Sequence, residues 1–210
     1  MARRLLFLRV LTPLYAAPLL LAAQRPRFGI AAGKSFVGGG DSRTLVDAGG
    51  FNVTGADQAG FHIRGMAEVP LNSAAFAFRA EVFYNALHSR PNSVGIVGSG
   101  SGAAALYDRT LGLAGNFVAS LNPPARVSPY FLLGAGAFLS WLGTNPDPWS
   151  NQAVLTRGGM GLGLQTGVGL SIRAGKRSVL LEWRYGQALN NTRGVGFMPL
   201  TLGVMFERAA

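Results

Sequence analysis

Apolar and polar residues alternate with a period of two along most of the chain, the spacing of strands whose two faces meet different media. Between 161 and 173, Leu162, Leu164, Thr166, Val168, Leu170 and Ile172 share one face; Gly161, Gly163, Gln165, Gly167, Gly169, Ser171 and Arg173 share the other. The next strand places Val179, Leu181, Trp183 and Tyr185 opposite Ser178, Leu180, Glu182, Arg184 and Gly186. Phe131, Leu133, Ala135, Ala137, Leu139 and Trp141 stand against Ser128, Tyr130, Gly134, Gly136 and Ser140. Phe76, Phe78, Ala80, Val82 and Tyr84 oppose Ala77, Arg79, Glu81 and Asn85, and Phe61, Ile63, Ala67 and Val69 oppose His62, Arg64 and Glu68. Leu111, Leu113, Phe117 and Leu121 oppose Asp108, Thr110, Gly112, Asn116 and Ser120; Met198, Leu200, Leu202, Val204 and Phe206 oppose Thr201, Gly203 and Glu207. Around 28–36 the pattern is weakest, because Lys34 falls on the apolar face; a rim position or a preceding bulge would accommodate it.

The pattern predicts eight strands of about 10–12 residues, close to the length that crosses a bilayer when tilted. Their connections alternate in length. Those at 72–75, 122–126 and 174–177 are short, and those at about 38–60, 88–105, 142–160 and 187–196 are long. Short turns on one rim and long loops on the other predict an all-β, eight-stranded antiparallel up-and-down transmembrane β-barrel.

Composition decides which face points outward. Charged residues are only 13% of the chain against roughly 25% in a soluble domain. A soluble barrel would turn its polar face to water, yet here that face is mostly Gly, Ser and Thr. The expected arrangement is therefore inverted, with lipid outside and a polar lumen inside. The apolar-face aromatics Phe61, Phe76, Tyr84, Tyr107, Trp141, Trp183, Tyr185 and Phe206 suit interfacial girdles. Inside, Arg64, Glu68, Arg79, Glu81, Glu182 and Arg184 form a two-signed set. Pairing across 72–75 brings Glu68 near Arg79 and Arg64 near Glu81. Pairing across 174–177 sets Gly169 opposite Glu182 and Gly167 opposite Arg184, leaving room for the long side chains. Enclosed charges require partners, because an unpaired one costs several kcal/mol.

The first 23 residues read as a signal peptide removed on export, with 24–210 as the barrel domain. Arg3, Arg4 and Arg9 form its basic leader, and 10–23 an apolar stretch broken by Pro13 and Pro18. An N-terminal membrane anchor is the alternative. The formal charge is +10, and loss of the three leader arginines leaves +7. The remaining cations are scattered, with Lys176-Arg177 the only basic pair, so nucleic acid is not expected as a partner. The chain has no cysteine, which excludes disulfides and thiolate-bound metal.

With this signal peptide, the segment PYFLLGAG at 129–136 and the ending PLTLGVMF at 199–206, the sequence resembles the small OmpA/OmpX-type outer-membrane β-barrels of Gram-negative bacteria. The resemblance spans the mature chain and implies a monomer in the bacterial outer membrane. It also implies contact with outer-membrane lipid and lipopolysaccharide, and handling by periplasmic chaperones and the barrel-assembly machinery. Family members commonly end on an aromatic residue; here Glu207, Arg208, Ala209 and Ala210 follow Phe206.

Candidate chemistry is sparse. His62 and His88 are the only histidines. His88 adjoins Ser89 at a strand end, but neighbouring strand residues point to opposite faces, so no catalytic pair is expected. His62 has no second histidine on its face, and no metal or cofactor is expected. The glycine-rich run at 94–102 lacks the lysine and following helix of a phosphate-binding loop and reads as an outer loop, and Trp149 as a residue packed on the rim. The expected role is structural or surface-interacting through the long loops, with the lumen charges as a plug. The alternatives are a narrow porin-like channel or carrier for small solutes and, further off, a lipid-modifying enzyme.

Overall fold

A computed structural model describes residues 26–38, 43–46, 52–55, 58–71, 75–89, 105–123, 125–145, 156–189 and 196–207. The leader at 1–23, the run at 94–102 and Trp149 lie outside the described residues, as do the side chains of Tyr107 and Ser89.

Eight strands close into an antiparallel barrel: β1 (Arg27–Gly38), β4 (Gln58–Pro70), β5 (Phe76–Ser89), β6 (Ala105–Ser120), β7 (Val127–Asn145), β8 (Thr156–Ala174), β9 (Arg177–Leu189) and β10 (Gly196–Glu207). Each pairs with its barrel neighbours in sequence, and β1 seals the sheet against β10. Closure removes sheet edges, so no strand offers an unpaired row of backbone groups to lipid. Following hydrogen-bonded partners once around the wall from Arg27 leads to Val37, ten residues further along β1. That stagger makes the strands tilt steeply and offsets the side chains that meet inside.

The alternation translates into the two sides of the wall. Leu113, Leu133, Ile30 and Leu202 are more than 60% exposed on the outer face, whereas Phe138 and Leu87 are fully enclosed. Among the described residues no helix is long and apolar enough to cross a membrane; the exposed apolar side chains form a belt around the outside of the strands. Three short connections share one rim. In the tightest, β8 passes to β9 through Gly175 at φ 65°, a left-handed conformation that glycine adopts without a Cβ clash.

Three details differ from the sequence expectation. First, six of the eight barrel strands are longer than 10–12 residues, and β7 and β8 each have 19, while β1 and β10 have 12. Their turn-side ends are held by the short connections at 122–126 and 174–177, so the excess length carries this hairpin past the opposite rim. Second, the first long connection holds a separate antiparallel hairpin, β2 (Arg43–Val46) with β3 (Asn52–Gly55). Third, β1 contains no bulge. Lys34 sits in regular register between Phe61 and Leu200, exposed on the outer face. A lysine is accommodated on such a face because its four-carbon stem can cover apolar surface while the ammonium stays solvated.

Two outcomes follow from a lipid-facing outer wall. The purified protein in detergent will run at a different apparent size on a gel before and after boiling. Leu133→Arg will destabilise the barrel by about 2–4 kcal/mol in denaturant unfolding from lipid vesicles, where the outer face of a soluble barrel would accept the arginine.

Candidate functional site

Among the described residues buried charge is concentrated in the lumen, which is filled in two storeys. The storey nearer the short turns is ionic. Arg79 on β5 donates from Nε to Glu68 Oε2 at 2.7 Å, and its Nη2 lies 2.6 Å from the same oxygen. Glu68 also receives Arg27 from β1. From this pair Arg79 reaches across to β9, with Nη1 2.7 Å from Glu182 Oε1, while its guanidinium covers the Tyr130 ring at 5.4 Å. Arg184 grips Glu81 with two nitrogens at 2.5 and 2.8 Å and also donates to Glu182 at 2.9 Å. Arg64 completes the set by pairing with Glu182. Gln165 bridges the network to the wall through Asn116, at 2.6 Å.

Six charged side chains thus converge from β4, β5 and β9, with three guanidiniums facing three carboxylates, and all six are at most 4% exposed. At this burial the attraction within each pair offsets a desolvation cost of several kcal/mol per ion only when the hydrogen bonding is good. The bidentate Arg184–Glu81 contact is the strongest such geometry. Glycine makes the space. A Cβ at Gly169 would overlap the Tyr130 ring and stand 2.8 Å from Glu182 Cγ.

The second storey is aromatic. Phe83 meets Phe138 edge-on at 5.0 Å and Phe197 at 5.6 Å. Each ring lies against a glycine of the adjacent strand: Phe83 on Gly112, Phe138 on Gly163, Phe197 on Gly186. His62 stacks between Phe83 and Phe197, at 5.4 and 6.1 Å, with Nδ1 3.3 Å from Asn85 Oδ1.

The expected lumen charges all lie inside, but their partners are only partly those anticipated. Glu68 and Arg79 are direct cross-strand neighbours, and so are Gly169 with Glu182 and Gly167 with Arg184. Arg64 does not pair with Glu81. Its neighbour on β5 is Phe83, and its carboxylate is Glu182 from across the lumen. Cross-strand register alone misses this, because the barrel is narrow enough for opposite walls to touch. Arg27 was absent from the expected set, since it opens the strand with the weakest pattern. The aromatic storey was also unforeseen, although the sequence carries its mark. Val82-Phe83-Tyr84 and Ala137-Phe138-Leu139 are short apolar runs that interrupt alternation and put a ring on the polar face.

On the outer wall, Phe61, Phe76, Trp183 and Phe206 are exposed, and Tyr84, Trp141 and Tyr185 half-buried. Phe76 opens β5 and Phe206 lies one residue from the end of β10, at the turn-side rim, while Phe61 and Tyr84 pack together at 5.7 Å. Trp183 departs from the girdle expectation: it is the middle residue of β9, away from either rim. His62 and His88 face opposite sides of the wall, His62 enclosed and His88 exposed. Among the described residues no group of three or more His, Asp or Glu is placed to hold a metal.

A closed eight-stranded antiparallel wall, apolar outside and charged within, is the architecture of the small outer-membrane β-barrels, and this chain has that fold. Solved structures carry the same fold. A major outer membrane protein from Thermus thermophilus matches at 14% identity with a TM-score of 0.58, covering 87% of this chain and 99% of that one. Ail, the attachment invasion locus protein of Yersinia pestis, matches at 15% identity with a TM-score of 0.50 over 87% and 99%. No protein-family model and no curated protein sequence matches the chain.

If the buried ions act as one paired network, Glu182→Gln will cost about 3–5 kcal/mol of stability, because it leaves guanidiniums underpaired. Glu207→Gln, exposed at the end of β10, will change stability by no more than about 0.5 kcal/mol. Equilibrium unfolding in urea compares the two.

Proposed function

We propose that this protein is a closed, non-conducting outer-membrane barrel that acts through surface interaction by its long loops, and that it is not an enzyme. One observation carries the reading: the lumen is occupied at mid-height by Arg64, Arg79, Glu81, Glu182 and Arg184, and directly above by Phe83, Phe138 and Phe197. An eight-stranded barrel has an interior just wide enough for side chains, and here both kinds of filler are present. The 19-residue strands of the β7–β8 hairpin support a role beyond the bilayer, since a strand needs only about 10 residues to cross it. For partners in the membrane itself, the outward cations Lys34 and Arg109 are suited to the phosphate groups of lipopolysaccharide. Against catalysis stands the separation of His62 from His88 by the wall, which leaves each histidine without the other as a partner.

The competing reading is a narrow channel. It is favoured by the exchangeable geometry of the network, in which Arg79 and Arg184 both contact Glu182 and both approach Glu81. Conduction would also require the aromatic storey to part. Planar-bilayer recordings of the wild type, Arg64→Ala and Phe138→Ala separate the two. The expected record is free of discrete steps for wild type, and reproducible wild-type steps would establish the channel in its place.

A further inference from the structure

The turn-side mouth of the lumen holds a polar vestibule that neither the plug nor the loops explain. Its volume is about 140 Å³, and Arg27, Glu68, Arg79, Ser128, Tyr130 and Arg173 are among the residues that line it. A single water occupies roughly 30 Å³ of liquid volume, so the space exceeds one water several-fold. Its chemistry is one-sided. Glu68 is the one acid among the lining residues, and Arg79 and Arg27 already engage both of its oxygens. Around it stand three arginines, which can only donate, and four serines with Tyr130, whose hydroxyls both donate and accept. Ser128 Oγ, Arg27 Nε and the Tyr130 hydroxyl are buried and donate no hydrogen bond within the protein, although Ser128 and Tyr130 are only 6% and 3% exposed. Arg173 spends one nitrogen on the Pro123 carbonyl at 3.2 Å and keeps its charge at the opening.

Buried donors without acceptors are costly, at about 1–3 kcal/mol each. A single acceptor-rich ligand satisfies several of them at once, and three arginines against one carboxylate favour a ligand with negative charge over water. We propose that this vestibule is a binding site for a small soluble oxyanion, a phosphate or short carboxylate, entering from the turn side of the barrel. Ser128 and Tyr130 supply hydroxyl donors from β7, Arg27 supplies Nε from β1, and Arg173 supplies charge from the end of β8. Arg79 contributes field more than contact, because its nitrogens are committed to Glu68 and Glu182. The site lies within the wall, not on the lipid face, which favours a free anion over a membrane headgroup.

The test uses the full chain refolded in an uncharged detergent, so that no lipid phosphate is present, with inorganic phosphate as the probe followed by phosphorus NMR. Saturable broadening that sulfate competes away, and sodium chloride at equal ionic strength does not, is the expected result. Ser128→Ala and Arg173→Gln should each weaken binding about tenfold, the scale of a lost hydrogen bond or charge to an anion. Arg173 is exposed, so its variant remains folded by the boiling-gel criterion even if Ser128→Ala does not. Absence of saturation, or unchanged affinity in Arg173→Gln, would overturn the site and leave a hydrated vestibule. Persistence of binding only when anionic lipid is added would likewise overturn it, in favour of a headgroup at the rim.

Discussion

Closure of an eight-stranded sheet inside a hydrocarbon layer is the constraint on which everything else here depends. Lipid offers no hydrogen bonds, so every backbone group of the span must be paired within the wall, and joining β1 to β10 achieves this. The same closure makes the interior narrow. Whatever faces inward meets not only the strand beside it but the strand opposite, and it must be satisfied there.

The two storeys of the lumen are two solutions to that demand. In the lower one, charge is neutralised by charge, with Glu182 serving as the hub for Arg64, Arg79 and Arg184. In the upper one, three phenylalanines remove the need for partners altogether, and only His62, held beside Asn85, brings a polar ring among them. Both depend on glycine, since a ring or a guanidinium can lie flat against the inner wall only where no Cβ projects from the next strand. The glycines that weaken each strand locally therefore stabilise the barrel through what they admit. A lumen packed this way makes the rims and loops the surfaces most open to partners, and the vestibule at the turn side keeps buried hydrogen-bond donors unspent.

Much of this was legible residue by residue. Alternation assigned Leu162, Leu164, Val168 and Leu170 to the outside and Gly167, Gly169, Glu182 and Arg184 to the inside, because the side of a strand is a local property with a period of two. Loop lengths identified the turn-side rim, and the Glu68–Arg79 pairing followed from the short connection between their strands. Reading failed where a non-local fact intervened. Lys34 suggested a rim position or a bulge, and the bulge is absent because a long flexible stem lets a lysine keep regular register on the outer face. Phe83 and Phe138 were hidden within apolar runs, where a period-two pattern assigns no special meaning to an inward ring. β7 and β8, at 19 residues each, exceed the roughly 10 residues that a spanning strand needs, so the pattern that marks a lipid-facing wall does not have to hold to their ends.

By itself, then, the sequence determined the eight barrel strands, the face each residue takes, their antiparallel order and the apolar outer wall, all of which follow from spacing, turn length and charge density. Only the tertiary structure decided which charges meet. The ten-residue stagger around the wall lifts each strand relative to the last, so Arg64, whose direct neighbour on β5 is Phe83, meets Glu182 from across the barrel. That choice depends on the diameter and tilt of the closed sheet, quantities that belong to no single strand.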